Sequence, residues 1–149
     1  MYQFEVVKDE FRQHPDCAIM LPNRSSKSAC AYDFYAPVDC FIPPHGTLML
    51  WTDVKAHIPS KYALMLNVRS SMGKKLIGLA NTIGYIDADF YDNPSNDGNI
   101  GLMLHNYSEL PHSFKAGDRI AQGMIVRYYV MDDDHVEDER SGGFGSTGQ

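Results

Sequence analysis

The last ten residues of this chain carry groups that suit a phosphorylated ligand. Four of them are glycines, whose backbone N–H groups can approach phosphate oxygens closely, and Ser146 and Thr147 can donate hydroxyl hydrogen bonds. Arg140 can pair with phosphate charge, and Phe144 offers a flat face that can cover a base. The alternative interpretation is a flexible chain end, because so glycine-rich a segment builds no core.

A second candidate anion site lies in the middle of the chain. Arg69, Ser70 and Ser71 follow an apolar strand pattern and begin a short predicted helix near residues 70–75. Hydroxyls, a guanidinium and the N–H groups at a helix start all favour anions. An ordinary helix cap with surface cations is the alternative.

Asp87 is the main candidate for acid–base chemistry. It follows an apolar stretch, so partial burial is expected, and Asp89 is predicted to lie two residues further on the same strand face. A partly desolvated carboxylate can act as a general base on water. The second acid, Asp89, is interpreted as either part of this pair or a solvated neighbour.

Residues on both sides of Asp87 could recognise a nucleoside. Asn81 has an amide that can donate and accept together, as recognition of a base edge requires. Phe90 and Tyr91 either lie against a sugar or fill the core, which is the commoner use of aromatic residues. The polar segment 92–98 is predicted to be a solvated hairpin loop.

Two polar residues stand in otherwise apolar strand patterns. Asp33 needs a cation, backbone donors or a metal held through water. Gln122 needs a specific polar partner at the depth its strand predicts. Asp118 and Arg119 are interpreted as a turn and an ion pair that brace the fold.

Composition narrows the class of protein. The chain has 149 residues, 44% of them hydrophobic and 21% charged, which predicts one globular domain with a real core. Its net charge of −6 argues against non-specific nucleic-acid binding. Three cysteines without CxxC spacing predict reduced thiols, and neither a signal peptide nor a long apolar span is recognisable, so a cytoplasmic protein away from membranes is expected.

The elements that must position these groups are predicted to be strands. Apolar and other residues alternate in 62–68, 48–51 and 100–104, and residues 120–130 are rich in β-branched and aromatic side chains. Turn signals recur along the chain, so we expect an all-β sandwich or jelly roll. Residues 1–131 form the predicted catalytic domain, and residues 132–149 an acidic spacer followed by a glycine-rich tail.

Five segments, taken in order, resemble the five motifs of the homotrimeric dUTPases (deoxyuridine 5′-triphosphate nucleotidohydrolases). They are the residues 29–36, 69–71, 81–90, 117–122 and 142–148. The order of the segments, the spacing between them and the glycine-rich tail all match those of the family. The resemblance extends from about residue 28 to the C-terminus. The additional residues 92–99 resemble a variant found in Gram-positive bacteria and their phages.

The resemblance implies a β jelly roll that forms a homotrimer, with three active sites shared between subunits. The implied reaction is attack of water on the α-phosphorus of dUTP, which gives dUMP and pyrophosphate with Mg²⁺ on the triphosphate. This reaction keeps uracil out of DNA and supplies dUMP. Isolated monomers are therefore expected to be inactive.

The resemblance also implies roles for single residues. Asp87 is similar to the base that activates the attacking water, and Phe90 takes the place of a tyrosine packed under the deoxyribose. The expected uracil site comprises Asn81, Gly84, Tyr85, Ile86 and Gly101. Phosphates are expected to bind Arg69, Ser70, Ser71 and Gln122, and Asp33 resembles the acid that holds the Mg²⁺ water shell. The tail is expected to close over the substrate through Arg140, Phe144, Gly145, Ser146 and Thr147.

Besides Phe90 and the additional residues 92–99, two further departures and two alternatives accompany the resemblance. Val68 stands where proline is common, and Arg140 is followed by one residue fewer than in the commoner tail motif. A dCTP deaminase shares the implied fold but would need a glutamate base, whereas this chain has Ile86-Asp87 there. A catalytically idle nucleotide-binding module is the other alternative, although Asp87 and the tail are both present.

Overall fold

The protein folds as an antiparallel β-sandwich of the jelly-roll type in this computed structural model, which describes residues 1–138 and Gly142. Within these residues helix is limited to one α-helical turn, α1 (Ser70–Gly73), and two 3₁₀ turns, Asp9–Phe11 and Ala88–Phe90. The strands are β1 (Gln3–Val6), β2 (Tyr32–Tyr35), β3 (Cys40–Ile42), β4 (Thr47–Trp51), β5 (Val54–His57), β6 (Tyr62–Val68), β7 (Ile77–Leu79), β8 (Gly84–Ile86), β9 (Gly101–Asn106), β10 (His112–Phe114) and β11 (Arg119–Arg127).

Two larger sheets carry most of the architecture. The first has the strand order β2-β11-β6-β8 and the second the order β4-β9-β7, while β1 pairs with β5 and β3 with β10. Every pairing is antiparallel. Residues from both sheets fill one apolar core, including Phe34, Leu64, Ile100, Leu104 and Ile120, each at most 1% exposed. The all-β fold expected from the sequence is confirmed.

The strand predictions around the candidate site are also confirmed, with one shift at an end. Residues 62–68 form β6, the central strand between β11 and β8, and the expected helical turn begins at Ser70 directly after it. The long strand predicted over 120–130 begins at Arg119 and ends at Arg127. The apolar residues that follow, 128–131, are exposed and lie outside the strand, so their apolar character did not mark strand continuation.

The segment 92–98 is not the solvated loop that its composition predicted. Asn93, Asp97 and Gly98 are buried. Lys55 reaches in from β5 and forms ion pairs with Asp92 and with Asp97, the latter at 3.0 Å. Burial lowers the pKa of Lys55, but its hydrogen bonds to the two carboxylates outweigh burial and raise that pKa above its ordinary value. The loop is therefore a fixed part of the fold directly after the Asp87 region.

A second buried carboxylate fixes the N-terminal segment. Asp53 is fully buried and accepts hydrogen bonds from the backbone N–H groups of Gln13 and His14, both at 2.8 Å. Asn99 donates a further hydrogen bond of 2.9 Å to the same carboxylate. Such a carboxylate is stable inside the protein because its lone pairs are occupied by donors. Asp53, between β4 and β5, thus ties the N-terminal segment to Asn99 just before β9.

None of the helices in the described part of the chain is long and apolar enough to cross a membrane.

Candidate functional site

The residues expected to bind uracil line one cavity. It lies between β8 and β9 and is bounded by Leu66, Leu79, Asn81, Gly84, Tyr85, Ile86, Gly101, Leu102 and Met103. We call this the base cavity. All five residues of the expected uracil site belong to it, although they come from segments twenty residues apart in sequence. Antiparallel pairing explains the grouping, since β8 pairs with β6 at Leu66 and β9 pairs with β7 at Leu79.

Local backbone geometry shapes the base cavity. Thr82 has a left-handed φ of 64°, and the N–H of Ile83 donates to the carbonyl of Asn81 at 2.8 Å, so the chain reverses tightly before β8. At Gly101 an added Cβ would lie 2.9 Å from the Trp51 ring. A side chain there would displace the tryptophan, and glycine lets the β9 backbone form the cavity wall.

Asp87 lies at the end of the base cavity, immediately after Ile86. It precedes the 3₁₀ turn Ala88–Phe90 in extended backbone, with φ −76° and ψ 157°. Its carboxylate is exposed, so the prediction of partial burial from the preceding apolar stretch is wrong for the single chain. Asp89 lies within the 3₁₀ turn, so the two acids do not share a strand face. The turn breaks the alternation on which that expectation depended.

Phe90 is buried at 4% exposure and belongs to the core cluster. Core filling, the commoner of its two sequence interpretations, therefore accounts for most of its ring. Its backbone carbonyl accepts a hydrogen bond of 2.8 Å from the Asn93 side chain, which ties the 3₁₀ turn to the following loop. Tyr91 donates its hydroxyl to Glu5 at 3.0 Å instead of lying beside the cavity.

Asp33 finds its partners in two arginines. Its side chain is 7% exposed, with one oxygen 2.7 Å from Arg69 Nε and the other 3.3 Å from Arg119 Nη1. The expected pairing of Arg119 with Asp118 is wrong, because the antiparallel pairing of β11 with β2 brings Arg119 next to Asp33. Asp118 accepts the backbone N–H of Lys115 at 2.8 Å and fixes the turn. Asp33 thus orients two guanidinium groups.

The two arginines open onto a polar depression that we call the cation cup. It is lined by Arg69, Ser71, Met72, Lys75, Phe114, Asp118 and Arg119. Met72 packs beneath it at 2% exposure, whereas Ser70 and Ser71 are both exposed. Sequence reasoning placed Arg69 and the two serines at an anion site but missed Lys75 and the participation of Arg119. The short helix α1 brings Lys75 back toward Arg69.

Gln122 lies near the cup but not in it. It stands between Asp33 on β2 and Asn67 on β6, at matching register positions. With Asn67 it lines a separate small cavity bounded by Cys30, Ala31, Met65 and Met124. Among the described residues its side chain has no hydrogen-bond partner, so the specific partner expected from the sequence is not found within them.

Within one chain Asp87 and Arg69 lie at opposite ends of β6. Ile86 is opposite Leu64 on β6, and the antiparallel register continues so that Asp87 is level with Ala63. Arg69 directly follows the other end of β6. Six residues of strand separate these positions, which corresponds to roughly 20 Å.

The metal-ligating side chains of the described residues do not form a site that encloses a metal ion. No group of three His, Cys, Asp or Glu side chains in the described residues is arranged to hold a metal ion. Asp33 has both oxygens near arginine nitrogens, although a carboxylate keeps further lone pairs for water. This set fits an ion carried by a ligand and held through water, because Mg²⁺ usually keeps several waters and binds few protein carboxylates.

The expected lid residues Arg140, Phe144, Gly145, Ser146 and Thr147 lie outside the described residues.

Comparison with known proteins gives one consistent family. The sequence model of the dUTPase family matches residues 18–148. A deoxyuridine 5′-triphosphate nucleotidohydrolase of Lactococcus lactis is 33% identical over 148 residues, covering 97% of this chain and 96% of that protein. One from Eremothecium gossypii is 35% identical over 135 residues, covering 85% and 82%.

Solved structures agree with the sequence relatives. The dUTPase of Streptococcus mutans superimposes with a TM-score of 0.75 and 29% identity, covering 87% of this chain and 98% of that one. The dUTPase of phage phi11 of S. aureus gives a TM-score of 0.69 at 21% identity, covering 95% and 99%, and supports the fold.

Proposed function

The chain belongs to the dUTPase family and is a dUTP diphosphatase, and we propose that Asp87 activates the water that attacks the α-phosphorus of dUTP. The observation that carries this proposal is the convergence of Asn81, Gly84, Tyr85, Ile86 and Gly101 on one cavity with Asp87 at its end. We infer that a base held in that cavity places its sugar and α-phosphate near Asp87, the carboxylate that directly follows the cavity wall at Ile86.

We assign uracil recognition to the few polar groups that line an otherwise apolar cavity. The Asn81 amide can donate and accept to a base edge, and backbone groups of Tyr85 and Ile86 offer further partners. We propose that Leu66 and Leu79 narrow the cavity, so that a 5-methyl group on the ring is excluded by its size. Cytosine presents a donor where uracil presents an acceptor, so the same polar pattern rejects it.

The chemical step needs one base and strong charge stabilisation. Asp87 accepts a proton from water as the water oxygen forms a bond to the α-phosphorus, and the bond from that phosphorus to the bridging oxygen breaks. Pyrophosphate leaves with the bond electrons. Arg69, Arg119 and Ser71 stabilise the charge that develops on its oxygens. Arginine suits this role because its donors are planar and permanently charged.

Mg²⁺ on the triphosphate would neutralise phosphate charge and orient the phosphates. Asp33 is the residue of this chain that would contact its water shell. Asp33 also keeps Arg69 and Arg119 turned toward the cup. Two residues beside the cup, Ser70 and Gln122, are proposed as further hydrogen-bond partners of the phosphate oxygens.

We further propose that each active site is shared between copies in a homotrimer. The separation of roughly 20 Å between Asp87 and Arg69 supports this proposal, because the phosphates of one nucleotide cannot extend that far. A cation cup from one copy therefore meets the base cavity of another. The tail residues 140–149 then close over the triphosphate, and residues 1–131 form the catalytic domain. We place the activity in the cytoplasm, where nucleoside triphosphates are abundant.

The proposed function predicts a narrow nucleotide profile. Pyrophosphate release should be measured with dUTP, dTTP, dCTP, dATP and dGTP, with and without Mg²⁺. We expect release from dUTP to exceed that from each other nucleotide by at least about a hundredfold, the discrimination that a pocket achieves against one extra methyl group, with larger factors where buried polar groups are mismatched. Removing Mg²⁺ is expected to reduce the rate strongly. Ammonia release from dCTP without pyrophosphate release would instead indicate a deaminase, and binding without turnover an idle module.

A further inference from the structure

We propose that Lys75 is a further phosphate-binding residue, which contacts the part of the triphosphate that leaves as pyrophosphate. The inference rests on the proposed function, because it assigns a ligand to the cation cup through that function. It adds a residue to which the resemblance to dUTPases gave no role and which the sequence alone indicated as a helix-forming residue and a surface cation.

The position of Lys75 is fixed by the short helix. Its backbone N–H donates to the carbonyl of Met72 at 3.0 Å, and Met72 is buried beneath the cup. The side chain of Lys75 lines the cup together with Arg69, Ser71 and Arg119. The neighbouring Lys74 is also exposed but does not line the cup. Adjacent residues of one turn point in different directions, so only one of the two lysines belongs to the site.

The charge balance of the cup depends on Lys75. Arg69 and Arg119 share a single counter-charge, the Asp33 carboxylate. Asp118 contributes a second carboxylate to the wall. Three cationic and two anionic side chains therefore meet there, and without Lys75 the two signs would cancel. A site that must hold a polyanion needs the surplus positive charge that Lys75 provides.

The environment of the ammonium leaves its donors available. Its Nζ lies 5.0 Å from the centroid of the Phe114 ring, a cation–π distance, and Phe114 is itself buried. No Asp or Glu among the described residues forms an ion pair with Lys75. Lys115, in contrast, pairs with Asp39 at 2.7 Å. An aromatic face orients an ammonium without using its N–H groups, so all three remain for phosphate oxygens.

The base cavity and the cation cup bind different parts of dUTP. Asp87 acts at the α-phosphorus next to the base cavity, so the phosphates beyond it extend into the cup. Lys75 therefore binds the leaving pyrophosphate part and does not touch the nucleoside monophosphate. This assigns it a measurable signature: its loss weakens binding of dUTP and of pyrophosphate but not of dUMP.

The test uses Lys75→Gln, with Lys74→Gln as a matched control that removes the same charge one residue away. We expect Lys75→Gln to raise the KM for dUTP and the inhibition constant of pyrophosphate by about tenfold, the lower range for a charged hydrogen bond. The inhibition constant of dUMP should stay within about twofold. Lys74→Gln should match the wild type in all three measurements, and Lys75→Arg should restore most of the pyrophosphate affinity.

Equal values for Lys75→Gln and Lys74→Gln would overturn the proposal, as would a parallel loss of pyrophosphate and dUMP affinity, which indicates a structural role. Failure of the proposed function is a separate outcome. If the wild type releases no pyrophosphate from dUTP, calorimetric binding of pyrophosphate to the three variants still tests Lys75.

Discussion

Replacing Asp87 with Asn is expected to lower kcat for dUTP by about a thousandfold, within the range for loss of a general base. The amide keeps the shape of the carboxylate but cannot accept a proton from water. Asp87 is exposed and precedes a 3₁₀ turn, so the fold should not change. Binding of dUTP should remain within a few-fold of the wild type, measured by calorimetry beside single-turnover kinetics.

Asp89→Asn is the matched control for this prediction. It removes the same charge two residues away, from an exposed position within the 3₁₀ turn. We expect its kcat to stay within about threefold of the wild type, as for a surface substitution away from the reacting atoms. If Asp87→Asn retains nearly full turnover, or if both variants lose activity alike, Asp87 is not the base.

Deleting residues 140–149 is expected to abolish hydrolysis while leaving the assembly intact. The deleted segment contains Arg140, Ser146 and Thr147, the proposed tail contacts to phosphate, and Phe144, the proposed cover of the base. In the described part of the chain the fully buried residues of the core cluster fall between Phe34 and Ala121, and a segment as glycine-rich as 140–149 is not expected to build core. We expect kcat/KM to fall by at least about a thousandfold, because closure of a lid completes such sites.

Light scattering and thermal unfolding of the deletion variant supply the second half of this test. The molar mass and the melting temperature should match those of the wild type. Deletion of Gln149 alone, which lies beyond the proposed contacts, should leave both activity and assembly unchanged. Loss of the oligomer on deleting 140–149 would show that the tail is a structural element.

The sequence was sufficient for features that depend on local pattern. Alternation over 62–68 identified β6, and the helix formers after Arg69 identified α1. The convergence of Asn81 and Gly101 on one cavity was expected from the family resemblance, and the structure brings them together. Local pattern failed for Asp87, because an apolar stretch before it does not decide which face it takes: Ile86 is buried, and the alternation of β8 puts Asp87 on the side of exposed Tyr85.

Ion pairs between residues far apart in the sequence could not be predicted from local pattern. Lys55 lies in a buried strand and pairs with Asp97, 42 positions away, so the loop that looked solvated is folded inward. Arg119 forms its ion pair with Asp33, 86 positions away, and not with its neighbour Asp118. A lysine within an apolar strand pattern was the available signal for the first, since such a charge requires a buried partner.

The central claim, a site shared between copies, is tested most directly by mixing two inactive variants. Asp87→Asn keeps the cation cup, and Arg69→Gln keeps the catalytic carboxylate, with folding of each verified by circular dichroism. The two are unfolded together, refolded in equal amounts, and assayed for pyrophosphate release from dUTP. If Asp87 and Arg69 of one site come from different copies, random assembly should restore up to about a quarter of wild-type activity. Activity no higher than the average of the separate variants would contradict the shared site.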